Sequence, residues 1–335
     1  MHKSKAIVGA TAFALFTATV WIGGAWAQQP TPGGLRRATV DPTAPKKHVL
    51  VLGFAYGWHH GSITDIEAMV WQLGHDSGLF DVEIRTDPAW ITKGYTGQGL
   101  SRNLSWFDAI VAADTTGVWP LDEQQKKDFI AFIHDEGKGF VGIHAALDAN
   151  HDHAWPEYTE MIGGEFAAHP WFTFAAPVII EDPSFPAMRH FAGTHLTMYD
   201  EMYMPREDNW SRNKVNVLMR LDETKLPPPG QLDPYASESP VAAQAAGVPL
   251  IEMPPAPAMP GRGGRGASPA VAVRADRDIA IAWAKMYGKG RVFYSSLGHT
   301  REQIANPEVR TMYLEAIKWA LGLEDGSTTP HAKRN

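Results

Sequence analysis

Fourteen histidines and no cysteine bound the chemistry this 335-residue chain can perform. A cysteine nucleophile is excluded, and attention passes to histidine, which both moves protons near neutral pH and holds metal ions, and to the carboxylates that could partner it. The residues of interest follow short apolar runs. His60 and Ser62 stand in Trp58-His-His-Gly-Ser62, Asp114 and Thr115 follow Phe107-Asp-Ala-Ile-Val-Ala-Ala113, and His144 ends Gly139-Phe-Val-Gly-Ile-His144. His169 closes Gly163-Gly-Glu-Phe-Ala-Ala-His169, Asp200 and Glu201 sit in Tyr199-Asp-Glu-Met-Tyr203, and His299 follows Gly298 near the end of the chain.

Two chemistries remain open at this point. Histidine is a common neutral ligand for zinc, and a catalytic zinc needs about three protein ligands and one open position. The same side chain is suited to proton transfer near neutral pH. No His-Glu-x-x-His pair fixes two ligands on one helix face. Asp200 and Glu201 point to opposite sides if their segment is extended, so only one of them can face a given site. His59 and His60 could merely end a loop, and His151-Asp152-His153 reads as a solvated turn in spite of its metal-clip pattern.

The elements that must position these residues alternate. A strand from His48 to Phe54 is followed by a helix from Ile63, a strand from Phe80 to Thr86, and a strand from Phe107 to Ala113. A helix with core residues Phe129, Ile130, Phe132 and Ile133 then precedes the strand that ends at His144. That order implies an α/β fold with right-handed crossovers, an open, mostly parallel sheet and helices on both faces, the flavodoxin-like order being one form. In such sheets ligands bind at the carboxyl ends of the strands, where the polar residues above fall. Later strands are expected over Phe172–Glu181, His195–Met204, Val215–Leu221, Ile279–Met286 and Arg291–Leu297, with a closing helix over Pro307–Leu321.

Outside this core, residues 1–27 read as a secretory signal, with a basic start, an uncharged run from Ala6 to Ala27 and an Ala25-Trp-Ala27 cleavage pattern. The expected location is periplasmic or secreted, with no membrane span after cleavage. Residues 28–47 read as a disordered lead-in, 48–323 as one domain, and 324–335 as a tail that frays from Gly326. A Pro/Ala/Gly-rich surface insertion occupies 224–276. The formal net charge of −7 argues against a nucleic-acid partner. No nucleotide-binding motif is evident, and the sequence does not specify an oligomer.

Together the segments Leu50–Phe54 with His60-Gly-Ser62, Gly137–His144, Gly163–His169, Asp200–Tyr203 and Gly290–Tyr294 with Gly298-His299 resemble the trehalose-utilisation, ThuA-like family. That family is similar in fold to class I glutamine amidotransferases, so the resemblance implies that Gly142-Ile-His-Ala-Ala146 replaces a nucleophile turn whose cysteine is gone. A cysteine-dependent glutaminase is excluded. The later His299 corresponds to the amidotransferase histidine, although His299-Thr-Arg-Glu302 departs from the His-x-Glu spacing.

The resemblance further implies carbohydrate catabolism, on a disaccharide or keto-sugar, with a small-molecule carbohydrate as partner. The reading that follows is a hydrolase or lyase in which His144, His169 and His299 hold a divalent metal such as zinc or carry protons. His144, His299 and Asp200 or Glu201 would be catalytic, and His60, Ser62, Asp114, Thr115 and Trp171 would contact substrate. Trp58, Trp119, Trp155 and Trp171 are expected near the site as stacking faces. A non-catalytic sugar-binding module, or a secreted domain whose Pro-rich insertion docks a partner, are the alternatives.

Overall fold

A computed structural model describes residues 45–94, 102–229 and 273–334. The secretory signal, most of the lead-in and most of the Pro-rich insertion expected from the sequence lie outside the described residues. The chain runs β1 (Lys47–Leu52), α1 (Ile63–Ser77), β2 (Phe80–Arg85), β3 (Ala109–Ala113), α2 (Glu123–His134), β4 (Gly139–Ile143), α3 (Pro156–Ile162) and β5 (Phe166–Ala168). It continues with β6 (Thr173–Ile180), β7 (His195–Glu201), β8 (Met204–Pro205), β9 (Asn216–Leu221), β10 (Ala280–Tyr287) and β11 (Gly290–Ser295), then helices Arg301–Ala305 and Pro307–Ala320.

One nine-stranded sheet has the order β2-β1-β3-β4-β11-β10-β9-β6-β7. Its first five strands are parallel in the expected flavodoxin-like order. Successive side chains of β1 alternate between the two faces: Val49 and Val51 pack with Ile66, Val70 and Leu73 of α1 and with Met312 and Ile317 of the closing helix. Leu50 and Leu52 join Phe129, Phe132 and Ile133 of α2 and Tyr158 and Ile162 of α3. Burial on both faces explains why β3 and β4 are uninterrupted apolar runs.

Helix ends follow local chemistry. Asp122 caps α2 in a reciprocal capping box with Gln125, and Gly78 ends α1 in the left-handed conformation. Ser62 stands at the N-cap of α1 but makes no capping hydrogen bond. Its hydroxyl donates instead to Asp114, so a helix start has given up a stabilising contact to the strand ends.

Beyond β11 the sheet is antiparallel, since β10, β9, β6 and β7 pair as an extension of the parallel half. A separate two-stranded ribbon joins β5 to β8. The C-terminal segment departs from the frayed tail that the sequence suggests, because it is docked across β9. Asn216 Nδ2 donates to Ser327 O at 2.7 Å, His331 Nε2 donates to Val217 O at 3.0 Å, and Arg220 Nη2 donates to Arg334 O at 3.1 Å. Polar groups at the edge of a core are satisfied by the tail. Truncation after Gly326 is therefore expected to lower the unfolding free energy by about 2 kcal/mol or more, read from the urea midpoint. An unchanged midpoint would show that the tail contributes nothing.

Candidate functional site

β4 delivers His144 to the centre of the sheet's carboxyl edge. Its backbone is left-handed, φ +46°, a region that histidine tolerates better than bulky residues do but that still marks a constrained position. Two tyrosines hold the turn. Tyr294 Oη donates to His144 O at 3.0 Å and Tyr158 Oη donates to Ala146 O at 2.8 Å. The ring is oriented from the other side, where His144 Nδ1 donates to Ser296 O at 2.7 Å. With that proton fixed on Nδ1, the lone pair of neutral His144 resides on Nε2 and faces the site.

Neighbouring acids on β7 divide the labour. Asp200 turns away from the cluster, its Oδ2 accepting from Gly298 N at 2.7 Å and its Oδ1 from Thr300 N at 2.9 Å. It thereby clamps the loop that carries His299. That loop passes so close to β4 that a Cβ on Gly298, φ +135°, would lie 2.9 Å from Ile143 Cγ2. Glu201 takes the opposite side. Its Oε2 lies 3.4 Å from His144 Nε2 and 3.3 Å from His299 Nδ1, which are themselves 3.2 Å apart. Its Oε1 lies 3.4 Å from His169 Nδ1.

His60 completes the group. A ligand atom from each of His60, His144, Glu201 and His299 lies within 4.8 Å of every other. The His60 ring meets those of His144 and His299 edge-on, its Nε2 is 3.4 Å from Tyr203 Oη, and its buried Nδ1 has no hydrogen-bond partner. Burial pushes His60 down to about 2, reinforced by His144 and His299, and pushes His299 down to about 4 against the pull of Glu201. Burial also disfavours the charge on His144, yet Asp114, Glu201 and Asp200 outweigh it and hold the imidazole up at about 9. Glu201 is held down at about 2, because the His144 hydrogen bond and the surrounding imidazoles overcome its burial. Burial raises Asp200 to about 7 in spite of His144 and two backbone N–H groups.

These residues suit a divalent cation. Ligand distances of about 2.0–2.2 Å around a tetrahedral ion separate the ligand atoms by roughly 3.3–3.6 Å, close to the 3.2–3.4 Å spacings of His144 Nε2, His299 Nδ1 and Glu201 Oε2. The donor set is imidazole and carboxylate, and His60 Nδ1 is an unpartnered buried donor beside it. Among the described residues, neither Asp114, Asp200 nor Glu201 pairs with a lysine or arginine. Among the described residues, the ion-pair partners of Glu201 are three histidines, His144, His169 and His299.

Of the residues anticipated from sequence, His144 and His299 converge, whereas His169 lies beside the group at the far oxygen of Glu201 and is a third exposed. His60 belongs to the donor set, while its neighbour His59 is exposed. Asp114 Oδ1 accepts from Ala145 N at 3.1 Å and so supports the His144 turn together with Ser62. Thr115 is buried behind the site. Trp171 is buried against Phe174, with Nε1 donating to Pro227 O, and Trp119 and Trp155 are likewise buried. Trp58, 73% exposed, is the tryptophan of the four that presents a free face. Tyr203 and Phe166 were not singled out from sequence, yet the Tyr203 ring packs tilted against His144 at 4.3 Å and Phe166 against Tyr203 at 4.2 Å. His151 pairs with Asp148 at 3.1 Å, outside the cluster.

The Asp200 clamp has a measurable consequence. Asp200→Ala would leave Gly298 N and Thr300 N unpaired, and about 2–4 kcal/mol of stability is expected to go with them in urea unfolding. Loss below about 0.5 kcal/mol would mean that the loop holds itself.

The sequence matches the family described as ThuA, trehalose utilisation, over residues 48–320. Among curated proteins none matches. Solved structures similar to the chain include a ThuA-like protein from Bacteroides uniformis ATCC 8492, at 17% identity and a TM-score of 0.56 over 83% of this chain and 92% of that one. Another is a ThuA-like protein from Parabacteroides merdae ATCC 43184, at 15% identity and a TM-score of 0.53 over 83% of this chain and 90% of that one. A remoter likeness is a glutamine amidotransferase from Thermotoga maritima, 9% identical with a TM-score of 0.39 over 83% and 99% of the two chains. With the family pattern spanning nearly all of the sheet that builds the cluster, the chain belongs to the ThuA family, which is implicated in trehalose utilisation.

Proposed function

We propose that this ThuA-family chain is an exported hydrolase or lyase of carbohydrate catabolism, acting on a disaccharide or its keto derivative at a divalent-metal site formed by His144, Glu201 and His299. The observation that carries the reading is the meeting of two imidazole nitrogens and one carboxylate oxygen at 3.2–3.4 Å, where among the described residues no lysine or arginine pairs with the buried acids. A zinc-like cation there would supply a Lewis acid for a carbonyl or hydroxyl oxygen of the sugar.

The chain's own residues supply the rest. His60 stands as a further donor to the cation. Ser296 O fixes the His144 tautomer, and Asp200 fixes the His299 loop. His169, touching Glu201 Oε1 and open to solvent, carries protons between the reacting centre and water. Trp58 offers a face on which a sugar ring can stack. A metal-free reading also has support, because the opposed shifts of His144 and Glu201 keep an imidazolium–carboxylate pair at neutral pH. That pair could act as general acid and base alone.

Zinc titration by calorimetry separates the two readings. One zinc per chain is expected, with His144→Ala, His299→Ala and Glu201→Gln each weakening binding by at least about 100-fold. No zinc binding by the wild-type chain would leave the metal-free pair as the surviving reading. The sign of the pH dependence follows from His144. Below about 9 its site holds a proton that the cation must displace, so zinc affinity should rise with pH towards 9 and then flatten, with about one proton released per ion at pH 7.

A screen of disaccharides and their keto forms tests the reaction. His169→Ala should lower kcat by about 10²–10⁴-fold with zinc content unchanged. Full activity in that variant would remove His169 from proton transfer.

A further inference from the structure

Beside the cluster lies a concavity that the reaction as proposed does not use. It encloses about 190 Å³ and is lined by Asp148, His151, Asp152, Phe166, Ala167 and Arg206. The volume is below the roughly 300–1,000 Å³ of a pocket that takes a whole drug-sized ligand, so it suits a single ring of something larger. Phe166 joins the two spaces. It lines the cavity and at the same time stacks on His169 and packs tilted against Tyr203, with ring centroids 5.6 and 4.2 Å away.

The wall is built at a conformational cost. Asn150, Asp152 and His153 all adopt left-handed backbone, with φ between +55° and +59°, and strain of this kind persists where the surroundings over-determine it. Asn150 ties the segment down, accepting from Trp119 N at 2.9 Å and donating its own N–H to Gly117 O at 2.9 Å. Behind the cavity, Glu165 is buried. Its Oε1 accepts from Thr159 Oγ1 at 2.9 Å, but its Oε2 has no hydrogen-bond partner and stands 3.8 Å from Nε of the cavity residue Arg206.

Charge decides what class of ring would enter. His151 and Arg206 are the cations of the wall, but each already faces acids. His151 lies 3.1 Å from Asp148 and 3.5 Å from Asp152, while Arg206 lies 3.8 Å from Asp152 and 2.8 Å from Asp208. The lining alone balances Asp148 and Asp152 against His151 and Arg206; with Glu165 and Asp208 behind it, and His153 3.4 Å from Glu165, four carboxylates face three basic side chains, which disfavours an anionic ligand. What remains is a neutral polyol, whose hydroxyls can donate to the carboxylates and accept from Arg206 and His151 while one face rests on Phe166.

The geometry points to a second sugar subsite in this cavity, holding the neutral distal ring of a two-ring saccharide whose other ring is at the His144–Glu201–His299 cluster. This rests on the carbohydrate reading of the cluster, and its test separates the two. Trehalose, glucose and glucuronate are titrated calorimetrically into the full-length protein and into Asp152→Ala and Ala167→Trp, the first removing an exposed acceptor and the second filling the cavity.

Trehalose is expected to bind about tenfold or more tightly than glucose in the wild type, glucuronate more weakly than glucose, and both variants to erase the trehalose advantage with glucose affinity unchanged. Glucose binding with no trehalose advantage overturns the subsite and leaves the cluster reading standing. So does an advantage that survives both variants. Preference for glucuronate overturns the neutral-ring assignment, and failure of every sugar to bind the wild type removes the cluster reading and the subsite together.

Discussion

The contact on which the site depends is that between the Glu201 carboxylate and the three imidazoles of His144, His169 and His299. Carboxylates taken out of water need a compensating charge, and among the described residues neither lysine nor arginine supplies it to Glu201. Only one of the buried imidazoles is pushed towards protonation, while His60 and His299 are pushed away from it. The charge set against Glu201 is thus the His144 proton, and a divalent cation entering the cluster would displace that proton and take its place beside the carboxylate.

The sheet exists, in functional terms, to hold that arrangement still. Pairing of β4 with β11 in register brings the His144 turn beside Ser296 and Gly298, so one edge supplies both the ligand and the carbonyl that sets its tautomer. Alternation along β7 sends Glu201 into the site and Asp200 to the loop behind it. Ser62 and Asp114 lock a helix start to the same turn. Each positioning contact is local to the carboxyl edge, while the apolar layers on both faces give the edge its rigidity.

How much of this was legible in sequence depends on the range of the interaction. The parallel half could be read because β1, β3 and β4 are continuous apolar runs separated by helical periodicity. The antiparallel half could not be ordered, because the pairing of β6 with β9 joins residues far apart in the chain and leaves no local mark. His144 and His299 were visible as histidines at strand ends. Nothing in sequence separates buried His60 from exposed His59, or tells which of Asp200 and Glu201 faces inward, since both are settled by how a loop or strand packs. Three tryptophans expected beside the ligand serve as core instead, and the docked C-terminal tail depends on partners more than a hundred residues away.

The most direct test of the central claim is anomalous diffraction at the zinc edge from crystals of the protein grown with zinc. The account requires one peak within about 2.0–2.2 Å of His144 Nε2, His299 Nδ1 and a Glu201 oxygen. A cluster with no peak, its His144 and Glu201 still joined as an ion pair, would contradict it.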